Sequence, residues 1–108
     1  MADIQTTVKT ALVGVGVPVF LGTWQGTTAA PAQYITYTAR HHPTLYGDNA
    51  ATEHEYTVYV EIWSETSYLT LKGTVTTAME GIDFNLVEEI DVVDIDTNHL
   101  SMAWYGVV

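Results

Sequence analysis

Four histidines, His41, His42, His54 and His99, and a run of carboxylates, Glu88, Glu89, Asp91, Asp94 and Asp96, are the side chains of this chain best suited to chemistry. Imidazole and carboxylate together make a metal-ligand set. His41 and His42 are adjacent, however, and on a strand they point to opposite faces, while no two histidines have the four-residue spacing that aligns imidazoles on a helix. Exposed loop histidines are the simpler reading. Strand alternation would put Asp94 and Asp96 on one face and Asp91 on the other, without the glycine and spacing of a calcium loop. A solvated strand edge that discourages aggregation accounts for them. Paired carboxylates also serve acid and base chemistry, but nothing in the sequence builds a cleft around these. There is no Cys, no Gly-x-Ser-x-Gly elbow and no Ser set beside a His, and Gly14-Val15-Gly16 precedes an extended segment, so it is not a phosphate loop. The expectation is a protein without catalytic or metal residues and without a cofactor. Two readings from other classes stay open: a small metal-dependent hydrolase using His41, His42, His54 and the acidic cluster, and a monomeric ligand-binding domain.

Aromatic side chains offer a different chemistry. Trp24, Tyr46, Tyr59, Trp63, Trp104 and Tyr105 could stack nucleic-acid bases, but a stacking platform needs interleaved basic residues. The chain has only Lys9, Arg40 and Lys72 against 13 acidic residues, a formal net charge of −10. A field of that sign repels phosphate backbones, which argues against a DNA reader but suits a protein that lets nucleic acid slide past. Packing in a core or an interface is the expectation for these rings, and a subunit interface is a natural place for Trp24, Tyr59, Trp63, Trp104 and Tyr105.

The element that must position them is the stretch His-Glu-Tyr-Thr-Val-Tyr-Val-Glu-Ile-Trp-Ser-Glu from His54 to Glu65. Alternation separates Tyr56, Val58, Val60 and Ile62 from Thr57, Tyr59, Glu61 and Trp63, which predicts a central strand with one apolar and one half-covered face. Upstream, Ile4, Val8, Leu12 and Val15 predict a first helix, capped by Asp3 and stopped by Gly16 and Pro18. A short extended piece covers Val17 to Phe20, and a second strand runs from Tyr34 to Arg40. Between them lies a Gly, Thr, Ala, Gln and Pro loop holding Trp24. From His41 to Glu53 a second loop contains His41, His42, Tyr46, Asp48, Asn49 and Glu53, long enough in so small a domain to be functional. Downstream, Tyr68, Leu71, Val75, Ala78, Met79 and Ile82 predict a second helix ending near Gly81, poor in intrinsic propensity because it is rich in Thr. Two strands follow, meeting at Asp96-Thr97-Asn98, with Leu100, Met102 and Trp104 on one face of the last.

This order predicts a single α+β domain over residues 1–108, with two helices on one mostly antiparallel sheet of about four to five strands. The length suffices for a core without disulfides. No basic-then-apolar leader pattern and no run of membrane-spanning length occurs, so a soluble protein made in the cytoplasm is expected.

The order and spacing of short motifs also resemble a known family. Val17-Pro18-Val19-Phe20 with Gly22, Pro31 with Tyr34-Ile35-Thr36-Tyr37-Thr38, a long loop, Tyr59-Val60-Glu61-Ile62-Trp63-Ser64, a helix, and Asp94-x-Asp96-Thr97 with Leu100 and Met102 resemble the tail-completion proteins of long-tailed bacteriophages. These neck proteins are also called tail terminator or tail-to-head joining proteins, and the likeness runs from Thr7 to Trp104. It implies a virion structural protein, assembled in the host cytoplasm, that forms a homo-oligomeric ring, typically a hexamer. Such a ring caps the tail tube and meets the head connector, so the implied partners are the tail tube protein, the connector protein and further copies of the chain. DNA would pass through an acidic lumen without specific binding, and no membrane is involved. The 41–53 loop is the candidate partner-binding or lumen element. A head-side connector or stopper component of the same neck is the nearest alternative.

Overall fold

The computed structural model describes residues 4–22, 32–42, 55–92 and 98–107. In chain order these form α1 (Ile4–Val13), β1 (Val19–Leu21), β2 (Gln33–His42), β3 (Glu55–Ser64), α2 (Leu69–Gly81), β4 (Asn85–Val92) and β5 (Asn98–Val107). The order of helices and strands is the one the periodicity predicts. The strands make one sheet in the order β1-β2-β3-β5-β4, antiparallel throughout except for the parallel pair β1 and β2. The class is α+β, as expected, with β3 in the middle.

Both helices lie on one face of the sheet. Ile4, Val8 and Leu12 of α1 and Leu71, Val75 and Met79 of α2 are buried in a single cluster with Ile35 and Tyr37 of β2, Val58, Val60 and Ile62 of β3, and Leu100, Met102 and Trp104 of β5. Each such side chain removed from water contributes about 1.5–3 kcal/mol, so the amphipathic stripes and not helix propensity hold the helices. The Thr-rich α2 also satisfies its own hydroxyls, because Thr74 and Thr77 Oγ1 each donate to the carbonyl one turn back, on Thr70 and Gly73, at 3.1 Å.

The ends of the helices show how the chain turns. Beyond Val13, Val15 N–H donates to the Leu12 carbonyl at 2.9 Å and Gly16 takes φ +96°, the left-handed position foreseen for it. Asp3, the expected cap, lies outside the described residues. At α2 the helix ends at Gly81, as expected, and the left-handed residue follows two positions later at Asp83, with φ 64°. Phe84 N–H donates to the Met79 carbonyl at 3.1 Å and Asp83 N–H to Glu80 at 3.0 Å, a Schellman closure. Asp tolerates this conformation better than most residues, and burying Phe84 beside Met79 draws the chain into it.

The entry to α2 is tied to the sheet. Ser64 is fully buried; its Oγ accepts from Gln33 Nε2 at 3.1 Å and from the Thr66 N–H at 3.2 Å, and Asn98 Nδ2 donates to the Thr66 carbonyl at 2.7 Å. Three strands therefore anchor one short connection.

Candidate functional site

Among the described residues, no helix covers the second face of the sheet. Side chains aligned across β2, β3 and β5 form rows there, because the register sets Tyr34 opposite Trp63 and Trp63 opposite His99. The rings in this row stack. Tyr34 and Trp63 have centroids 5.8 Å apart at 7°, Trp63 and His99 lie 3.6 Å apart at 15°, and Phe20 of β1 meets Tyr34 edge-on at 6.1 Å. Each such aromatic pair is worth about 0.5–1.5 kcal/mol beyond its buried area.

The neighbouring row sets Thr36 opposite Glu61 and Glu61 opposite Ser101. It is stitched diagonally to the first. Trp63 Nε1 donates to Thr36 Oγ1 at 3.4 Å, and His99 Nε2 lies 2.9 Å from Glu61 Oε1. An ionised carboxylate only accepts, so Nε2 carries the hydrogen in that pair. His99 is 7% exposed and its ring is covered by indole. A His–Glu pair is half of a general-base arrangement, but among the described residues no hydroxyl is hydrogen-bonded to this imidazole. Its work is to lock two rows of the sheet together.

Further along, Thr38, Tyr59 and Ala103 align, with Glu88 of β4 beyond them. The small residues Ser101 and Ala103 leave a depression of about 80 Å³ rimmed by Tyr59, Ile90 and Glu88. Tyr105 closes this end, its hydroxyl donating to Glu55 Oε1 at 2.8 Å. Three of the expected interface residues, Tyr59, Trp63 and Tyr105, thus share one face. Glu61 joins them, as the alternation of β3 predicts, and so do Phe20, Tyr34 and His99, which only the cross-strand register brings to this face.

Other expected site residues fall elsewhere. Trp104 is corrected. It is 0% exposed and lies under the helices, because it alternates with Met102 and Leu100 on the apolar side of β5, so it offers no surface to a neighbour. His41 and His42 are also corrected, from loop to strand: they end β2, opposite Tyr56 and Glu55, and the His41 ring lies 4.9 Å from that of Tyr56. Trp24, Tyr46, Asp48, Asn49 and Glu53 lie outside the described residues, as does His54. Among the described residues no three His, Asp or Glu side chains gather as metal ligands, and no helix is long and apolar enough to cross a membrane.

Of the acidic run, Glu88, Glu89 and Asp91 lie exposed on β4, an edge of the described sheet, while Asp94 and Asp96 lie outside the described residues. Glu89 Oε1 pairs with Lys72 Nζ at 2.8 Å, and Tyr68 Oη donates to Asp91 Oδ1 at 2.7 Å. That hydrogen bond, aided by burial and by the negative charges of Asp91 and Glu89, raises the Tyr68 phenol above its usual 10.0. The folded state favours the protonated phenol, so its contribution to stability is complete below the unfolded pKa and is lost as pH rises through the higher folded one. Asp91→Asn is expected to bring the Tyr68 titration down in alkaline absorbance titration. An unchanged titration would show that the carboxylate does not hold the hydroxyl.

A larger hollow of about 460 Å³ lies between the helices, lined by small residues including Ala11, Gly14, Thr70, Gly73 and Ala78. Among the described residues no acid, base or imidazole lines it. The described surface offers aromatic faces, exposed apolar side chains and carboxylates.

No family model matches this sequence, and no curated protein matches it. Solved structures do. A chain in the virion of a native gene transfer agent particle superposes with a TM-score of 0.57 at 11% identity, over 94% of this chain and 91% of its own. A second solved structure superposes with a TM-score of 0.53 at 10% identity, over 96% of this chain and 94% of its own. At such identity the likeness is one of fold.

Proposed function

We propose that this chain is a non-enzymatic structural protein of a phage-like virion, the tail terminator of the neck. In this reading it assembles in the host cytoplasm as a homo-oligomeric ring, a hexamer, that ends the tail tube on one side and meets the head connector on the other. The observation that carries the reading is the superposition, along nearly the full length of both chains, on a component of a gene transfer agent virion. The motif order that resembles tail-completion proteins supports it independently. The sheet face carrying Tyr59, Trp63 and Tyr105 supplies contact surface, and a protomer of net charge −10 gives a lumen that repels DNA and lets it slide.

Solution mass by light scattering over a range of concentrations tests the ring, first alone and then with the tail tube protein added. A ring-sized species in either condition is the expected result, since a terminator can be monomeric until a tube end templates it. A strict monomer in both conditions overturns the ring.

A further inference from the structure

Protomers of net charge −10 repel one another, so a ring of them needs its few cations at the contacts. Lys72 is already used within the protomer, on Glu89. Lys9 is exposed on α1, in the helical layer. Arg40 is exposed on β2, and among the described residues no carboxylate lies within ion-pair distance of it. It is the one cation in the sheet.

Its position is informative. β1 pairs only with Ile35, Thr36 and Tyr37, so residues 38–42 of β2 run past it, and among the described residues no strand pairs with their outer side. At the other end of the sheet β4 is the second edge, pairing among the described residues with β5 alone. That edge is long and apolar for a free one: Leu86, Val87 and Ile90 are 43%, 66% and 50% exposed, between Glu88, Glu89 and Asp91. Two β4 edges paired in a register centred within residues 88–91 set these carboxylates against one another. A cationic edge is the complementary partner.

Resting on the ring reading above, we propose that the sheet continues from copy to copy: β4 of one protomer docks along residues 38–42 of β2 in the next, with Arg40 against Glu88. Strand directions allow it. β4 runs opposite to β2, so a neighbour rotated about an axis along the strands meets it antiparallel. Side-chain faces allow it too. Arg40 and Glu88 both point to the helix-free face, and a register that pairs them sets Thr38 opposite Ile90. The contact is head-to-tail, which generates a ring where the rotation closes.

The experiment measures the assembly midpoint of the full chain, with tail tube protein where needed, for wild type, Arg40→Glu, Glu88→Arg and the double variant. Both side chains are exposed, so circular dichroism is expected to report an unchanged fold. Each single variant is expected to raise the midpoint concentration at least about tenfold, and the double to return it most of the way, as swapped ion pairs do. A wild-type ring indifferent to the single changes, or singles that weaken it with no recovery in the double, overturns the edge pairing and leaves the ring standing. A wild type monomeric in all conditions overturns both.

Discussion

Trp104→Ala is expected to destabilise the folded chain by about 3–5 kcal/mol, the range for removing a large aromatic side chain from a packed core. A domain of this size has a total stability of about 5–15 kcal/mol, so the variant stands near the limit of folding. The reason is local. Trp104 is the largest of the fully buried side chains and belongs to the cluster that joins β5 to both helices. Its indole also carries a cost, because among the described residues Nε1 has no hydrogen-bond partner although it is buried. An unpaired buried donor costs about 1–3 kcal/mol. Trp104→Phe keeps an aromatic body and removes that donor, so it is expected to cost less than about 1.5 kcal/mol despite its smaller volume. Urea unfolding with an unchanged denaturant slope reads both values. A Phe variant as damaged as the Ala variant would show that the indole N–H is satisfied after all.

The second large effect sits two residues further along β5. A Cβ on Gly106 would lie 2.6 Å from two ring carbons of Phe84 and 2.7 Å from a third, closer than such atoms approach. The Phe84 ring is 2% exposed and held by the Schellman turn, so it has little room to retreat. Gly106→Ala is expected to cost about 2–3 kcal/mol and Gly106→Val more, as overpacking of a filled core does. The cause is testable by a double-mutant cycle. Combining Gly106→Ala with Phe84→Leu is expected to cost less than the sum of the single changes, by 0.5 kcal/mol or more. Strict additivity would move the origin of the effect from the ring to the strand backbone.

How far the sequence discloses this molecule follows from the range of each signal. The apolar stripe of α1, the alternation of β3 and the Leu71, Val75 and Met79 series of α2 are local patterns, and each appears where the periodicity puts it. Strand order is not a local pattern. Nothing in the alternation of β5 says that it lies between β3 and β4, or that β1 runs parallel to β2. The candidate site inherits that gap. Tyr59, Trp63 and Tyr105 stand out by type and by the second face of their strands, whereas His99 reveals its role only once Glu61 and Trp63 are set beside it by a register that spans the chain. Trp104 shows the converse: its type suggested an interface, and its phase with Leu100 and Met102 placed it in the core. Asp83 is hidden for another reason. The helix stops at Gly81 as its type suggests, but the left-handed turn comes two residues later, where the tertiary burial of Phe84 decides it.

The position of β5 also sets the order in which the molecule can be made. β5 fills the slot between β3 and β4, and ladder partners such as Glu55 and Val107 are about half a chain apart. Until β5 has left the ribosome, β4 has no strand to join, and one whole edge of β3, with Val58, Val60 and Ile62, waits unpaired. Closing so many distant pairs is slow, on the order of milliseconds to seconds for sheets of this kind. Through that interval the nascent chain displays an apolar strand edge of the sort that recruits other strands, so the yield of folded protomer is decided by how soon β5 arrives.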